Sequence, residues 1–95
     1  MSGATLRNNS EQHRYELLDN GEVVGIAEYD LDGDTVIFRH TEVGEAHEGK
    51  GYGSKLAKLA LDDVVAANRK IVAQCEFIAG YVNRHPEYAG ALKTR

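Results

Sequence analysis

The chain reads as a mixed α/β (α+β) domain: a three-stranded antiparallel meander, then a helix, a parallel fourth strand and a second helix. Three observations predict this. Asn20-Gly21 separates two β-prone runs, a strong signal for a two-residue hairpin. Near Lys50 the apolar spacing changes from alternation to the i, i+3, i+4 stripe of an amphipathic helix. Segment 35–77 then reads strand, helix, strand, a crossover that makes its two strands parallel.

Residues 13–18, HRYELL, and 22–29, EVVGIAEY, form the first hairpin, and DLDGD at 30–34 makes a second turn. TVIFRHTEV at 35–43 is rich in β-branched and aromatic residues and supplies the third strand. The helical stripe is Gly53, Leu56, Ala57, Ala60, Leu61, Val64 and Val65, ending near Asn68, with Lys55, Lys58, Asp62 and Asp63 off its centre. IVAQCEF at 71–77 reads as a short strand. FIAGYVNRH at 77–85 reads as a helix stopped before Pro86, because proline disfavours helical geometry in its predecessor. The last residues look irregular. Residues 1–12, MSGATLRNNSEQ, read as a polar, loose arm without the apolar core of a signal peptide, and 13–95 as one domain.

At 95 residues there is room for one small core. No apolar run approaches the roughly 18 residues of a membrane span, so a cytoplasmic protein away from any membrane is expected. Cys75 is the single cysteine, so no internal disulfide can form. The net charge of −4 argues against sequence-independent binding to nucleic acid, and a monomer is expected. That average hides a division. Residues 1–48 hold 3 Lys+Arg against 11 Asp+Glu, and residues 49–95 hold 8 against 4, giving −8 and +4.

The basic half opens on EGKGYGSKL, 48–56, with glycine at 49, 51 and 53. A glycine-rich turn between strand and helix lets the backbone approach a ligand, and the helix start offers unpaired N–H groups that suit a phosphate. The P-loop pattern fails here: Gly44 to Gly51 reads GEAHEGKG, with glycine where the magnesium-binding hydroxyl belongs, and Glu45 and Glu48 would repel a triphosphate. The dinucleotide pattern fails at Ser54, where it needs glycine, and IVAQC carries no acidic residue for a ribose. A glycine turn that merely lets the helix pack closely is the structural alternative.

EGKGYG, Glu48 to Gly53, following HTEV at 40–43, resembles the Gln/Arg-x-x-Gly-x-Gly/Ala pyrophosphate motif of the GNAT superfamily of N-acetyltransferases, with Glu48 where Gln or Arg is usual. The resemblance runs through residues 40–65, and the element order of 13–85 is similar to the core of that fold. It is closest in kind to the small, stand-alone branch, in which one cysteine follows the loop. It implies a minimal GNAT-like fold and binding of acetyl-CoA, with no metal. Backbone amides of Gly49, Lys50, Gly51, Tyr52 and Gly53, with Ser54 beside them, would hold the pyrophosphate. Lys50 and Lys55 would add charge, and the strand edge at Glu42 and Val43 would bond the pantetheine amides. Glu48 leaves a direct side-chain contact at its position unsupported.

The same resemblance implies acetyl transfer to an amine, which requires a deprotonated amine, a polarised thioester and a protonated leaving thiolate. Four residues are candidates. His40 can act as a base near neutrality, its reference pKa being about 6.5, or can be a hydrogen-bonded strand residue. Glu42, two residues on and on the same face, is an alternative base, an orienter of His40 or a surface carboxylate. Cys75, just before a helix start that can lower a thiol's pKa from about 8.5, is a candidate acetyl carrier or a small buried hydrophobe. Tyr81 is a candidate proton donor to the thiolate, or core packing. Larger relatives add N-terminal helices and C-terminal strands around the acceptor, so here the groove is expected to be open and suited to a peptide or protein amine. A coenzyme A binding module without turnover is the alternative function.

Overall fold

A computed structural model of the protein describes residues 3–93. Its elements are β1 (Thr5–Asn9), β2 (Arg14–Asp19), β3 (Glu22–Asp32), β4 (Thr35–Val43), α1 (Tyr52–Ala66), β5 (Lys70–Ala73) and α2 (Glu76–Arg84), with 3₁₀ turns at Ser10–Gln12, Glu45–His47 and Pro86–Ala91. The five strands lie in one sheet in chain order. Strands β1 to β4 pair antiparallel, and β4 and β5 pair parallel from Thr35↔Lys70 to Phe38↔Ala73. The expected hairpin forms at Asn20-Gly21, whose φ values of 54° and 80° place both residues in the left-handed region of a type I′ turn.

Both helices cover one face of the sheet. Tyr15, Leu17, Ala27, Tyr29, Val36 and Phe38 point into a core shared with Leu56, Ala57, Ala60, Leu61 and Val64 of α1 and Ile78 and Val82 of α2. The stripe at the centre of α1 is therefore as read from the sequence, except that Val65 lies at its margin and is 41% exposed. By strand alternation, Glu16, Ile26, Glu28, His40 and Glu42 belong to the opposite, helix-free face.

Three boundaries differ from the sequence reading. The arm expected over 1–12 contains an edge strand at Thr5–Asn9, while Met1 and Ser2 lie outside the described residues. Its polar sequence has weak β propensity, and its side chains supply the missing drive. Arg7 Nε and Asn9 Nδ2 donate to the Glu16 carboxylate at 2.7 and 3.2 Å, and Arg14 joins at 2.9 Å. Burial pushes the Glu16 carboxyl up, but these donors outweigh it and hold the group below its ordinary range. The strand expected over 71–77 is Lys70–Ala73, because the chain turns at Gln74 and Cys75, both of whose N–H groups donate to Phe38 C=O at 3.0 Å. After Pro86 the chain makes a 3₁₀ turn, not an irregular tail. Leu92 then bridges Ile71, and Lys93 N–H donates to Ile71 C=O at 2.8 Å along the outer edge of β5.

Candidate active site

The site grows from a fork in the sheet. Phe38 is the last residue of β4 paired with β5, and one residue further on, at Arg39, the β3–β4 register slips by one. Such a bulge bends its strand and re-aims the residues beyond it. From there to Val43, β4 pairs with β3 alone, and the gap left beside its other edge, beyond the end of β5, is the cleft. Gly44 N–H donates to Val24 C=O at 3.1 Å, so by alternation the backbone of Glu42 also faces β3. The polar backbone groups left to face the cleft are those of Thr41 and Val43.

At the mouth of this cleft stands the glycine loop. Gly49 and Gly51 have φ values of 83° and 79°, the left-handed conformation that side chains rarely adopt, with open space where a Cβ would stand. Gly53 is required for another reason. A Cβ there would meet Cζ of Phe77 at 2.9 Å, so the first turns of α1 and α2 touch through a missing side chain. Gly51 caps α1 without a side-chain hydrogen bond, and the helical ladder begins with Lys55 N–H donating to Gly51 C=O at 3.1 Å. The amides of Tyr52, Gly53 and Ser54 therefore precede the ladder as unpaired donors at the positive end of a 15-residue helix. Glu48 and Lys50 are exposed, and Lys55 is half-buried.

The loop is anchored by residues the sequence reading did not single out. Tyr52 donates its hydroxyl to Asp19, and this bond raises the phenol's pKa. His47 Nε2 lies 3.3 Å from Glu22 Oε2 and packs edge-on to the Tyr52 ring, with centroids 5.7 Å apart. Both carboxylates flank the Asn20-Gly21 turn. Nothing in the linear pattern links that turn to a loop some 30 residues later, so no signal could have marked Asp19 and Glu22.

The candidate catalytic side chains fall into separate groups. Cys75 is the N-cap of α2 and is buried, its Sγ donating to Thr41 Oγ1 at 3.4 Å. Thr41 stands opposite Ala27 in the register and so shares the helix-covered face. His40 Nε2 lies 3.2 Å from Glu42 Oε1, both exposed on the helix-free face, with Glu28 directly across from His40. Among the described residues no hydrogen bond joins His40 to Cys75. Tyr81 is brought to neither pair. Its ring is 5% exposed, stacks on His85 at 4.0 Å and tilts against Tyr88, and burial raises its pKa. No cluster of three or more metal-ligating side chains occurs among the described residues, and no helix there is long and apolar enough to cross a membrane.

A forked parallel pair, a glycine-bound helix start and a cysteine at the fork can hold an extended ligand by its amides and an anion by its phosphates. Residues 14–91 match the profile of the family described as GCN5-related N-acetyl-transferase. The chain belongs to the GCN5-related N-acetyltransferases. Among its relatives, Protein NATD1 of Danio rerio is 43% identical over 56 residues, 57% of this chain and 51% of the relative. Protein NATD1 of Homo sapiens is 43% identical over 51 residues, 54% and 45% respectively. The chain spans about half the length of the curated relatives it matches. An NMR structure from Staphylococcus aureus described as GCN5-like superposes with a TM-score of 0.71 over 100% of this chain and 93% of its own, at 22% identity. It establishes the shared fold, with its antiparallel meander and parallel final pair.

Proposed function

We propose that the protein transfers an acetyl group from acetyl-CoA to an amine, with a peptide or protein amine as the acceptor class. The observation that carries this is the fork beyond Phe38, flanked by the glycine loop on one side and Cys75 on the other. Its residues fit coenzyme A. The amides of Tyr52, Gly53 and Ser54 and the open space over Gly49 and Gly51 suit a pyrophosphate. The outward backbone groups of Thr41 and Val43 suit the pantetheine amides, and Lys50 and Lys55 supply positive charge at the loop.

Acetyl-CoA supplies an activated thioester. In the proposed route the Cys75 thiol gives up its proton as its sulfur forms a new S–C bond to the acetyl carbon, and the coenzyme's C–S bond breaks with that proton passing to the leaving sulfur. The acceptor nitrogen then forms an N–C bond, Cys75 leaves as thiolate, and the amine's proton passes to a base. His40 is that base, oriented by Glu42. Standing on the face opposite Cys75, it deprotonates the incoming ammonium before the amine reaches the acetyl group, and does not serve the thiol. Tyr81 supports α2 through its stack on His85. A reducing cytoplasmic setting, in which Cys75 stays a thiol, and a monomer acting without nucleic acid or membrane complete the reading.

The test is incubation with acetyl-CoA followed by intact-mass and peptide analysis, beside turnover assays of variants. One acetyl group on Cys75 is expected. Cys75→Ala and His40→Ala should bind acetyl-CoA as the parent does and lose at least a hundredfold in turnover. Full turnover in Cys75→Ala would establish direct attack by the amine. Coenzyme binding with no turnover in the parent would establish a binding module.

A further inference from the structure

At the opposite end of α1 from the glycine loop, strands β1 to β4, the turn at Ser10 and the end of the helix line a cavity of about 230 Å³ that is partly open to solvent. Its lining includes the buried rings of Tyr15 and Tyr29, the buried Val36 and the exposed Leu31, with Asn8, Ser10, Asp63 and Arg69 as its polar members. The acetyl transfer proposed above does not use it. A 15-residue helix at ~1.5 Å per residue puts about 22 Å between this cavity and the loop.

The polar groups are unevenly satisfied. Tyr29 donates its hydroxyl to Asn8 Oδ1 at 2.6 Å, and Tyr15 donates to Asp63 Oδ2 at 2.8 Å. Asp63 has a second carboxylate oxygen. The half-buried Arg69 guanidinium has no hydrogen bond or ion pair among the described residues, although it acts electrostatically on both tyrosines. Burial first, and the bond to Asp63 next, raise the Tyr15 pKa, while Arg69 opposes them. A carboxylate and a guanidinium thus face the same space, both felt by one phenol, without closing on each other. Long opposite charges that share a small cavity ordinarily pair.

We propose that this cavity binds a zwitterionic amino acid with an apolar side chain, its carboxylate on Arg69, its ammonium on Asp63 and its side chain against the exposed Leu31. A lone anion is disfavoured by Asp63, and a lone cation by Arg69. The volume is below the roughly 300 to 1,000 Å³ of sites for drug-sized ligands, which sets the size at a single residue. This site stands apart from the proposed acetyl transfer and does not depend on it.

The test is titration of the whole protein, followed by amide NMR, with L-leucine and L-phenylalanine, each beside its N-acetylated form and its carboxamide. At least one free amino acid should shift the amides around Tyr15, Tyr29, Asp63 and Arg69 saturably, and both derivatives should bind at least tenfold more weakly. Arg69→Gln should cost at least tenfold in affinity while leaving the remaining spectrum folded, and saturating coenzyme A should not displace the amino acid. The proposal is overturned by any one of four results: no saturable shift with either amino acid, equal binding of either derivative, undiminished binding in Arg69→Gln, or displacement by coenzyme A.

Discussion

The two halves of β4 use one strand for opposite purposes. Thr35–Phe38 is buried throughout and paired on both sides, whereas Arg39–Val43 is half-buried or exposed and paired with β3 alone. The bulge at Arg39 separates them. Before it, side chains complete a core and backbone groups are spent on the sheet. After it, two backbone groups are released to the cleft, and His40 and Glu42 reach solvent. A site can thus be made by withdrawing a partner strand, without any special residue in the strand that remains.

The comparison breaks most severely if its closed half is opened. Phe38→Ala removes a fully buried ring beneath α1 and should cost about 3–5 kcal/mol of stability, enough to unfold a domain of this size. Chemical denaturation reads it, and a loss below about 1 kcal/mol would mean that this half is not the core. In the open half and its loop, the expected damage is to binding. Gly51→Val forces a branched side chain to φ 79° at the helix start, about 1–3 kcal/mol of strain. It should weaken acetyl-CoA at least tenfold in a calorimetric titration while the fold persists, and unchanged affinity would remove the loop from the site.

A smaller effect comes from Glu16, on the helix-free face but on the closed side of the sheet. Its folded pKa is depressed below the ordinary value of 4.5, so its stabilisation is present above that value and fades as pH falls through and below it. Glu16→Gln should flatten the acid limb of a stability profile below pH 4.5. An identical acid limb would show that the cluster with Arg7 and Arg14 contributes nothing through charge. Smallest of all is the pivot itself. Arg39 Nε lies 3.1 Å from Asp30 Oδ2, with both side chains largely in solvent, and such a pair contributes up to about 1 kcal/mol. Arg39→Ala should shift stability by less than about 0.5 kcal/mol, and a larger loss would mean that the bulge depends on this ion pair.

Much of this was legible in the residues. Periodicity placed the centre of α1, because its stripe is continuous from Leu56 to Val64, and Asn20-Gly21 placed the first hairpin, because few other pairs tolerate two left-handed residues. Pro86 ended α2. β1 was not legible, since its attachment draws on the Arg7 and Asn9 contacts to Glu16 and the Tyr29 bond to Asn8, and not on propensity. The glycines were legible as a loop, but their separate reasons were not: two serve backbone angle, and the third serves Phe77, 24 positions away. The sequence also offered His40 and Cys75 as candidates for one reaction. Only the register and the bulge show that they stand on opposite faces, since one slipped residue reverses every side chain beyond it.

The ends of the sheet carry a consequence for how copies of the chain meet. A strand margin with unpaired amides is a template for adding further strands, and such templates seed aggregation. Here one margin is the five-residue β1, bearing Arg7, Asn8 and Asn9, a run too polar and too short to recruit a neighbour readily. The other is the four-residue β5, whose outer side is already engaged at Ile71 by the returning Leu92 and Lys93. Crowded solutions should therefore resist fibre growth along the sheet. Cutting back the segment after Ala91 would expose the margin at Ile71 and remove that resistance.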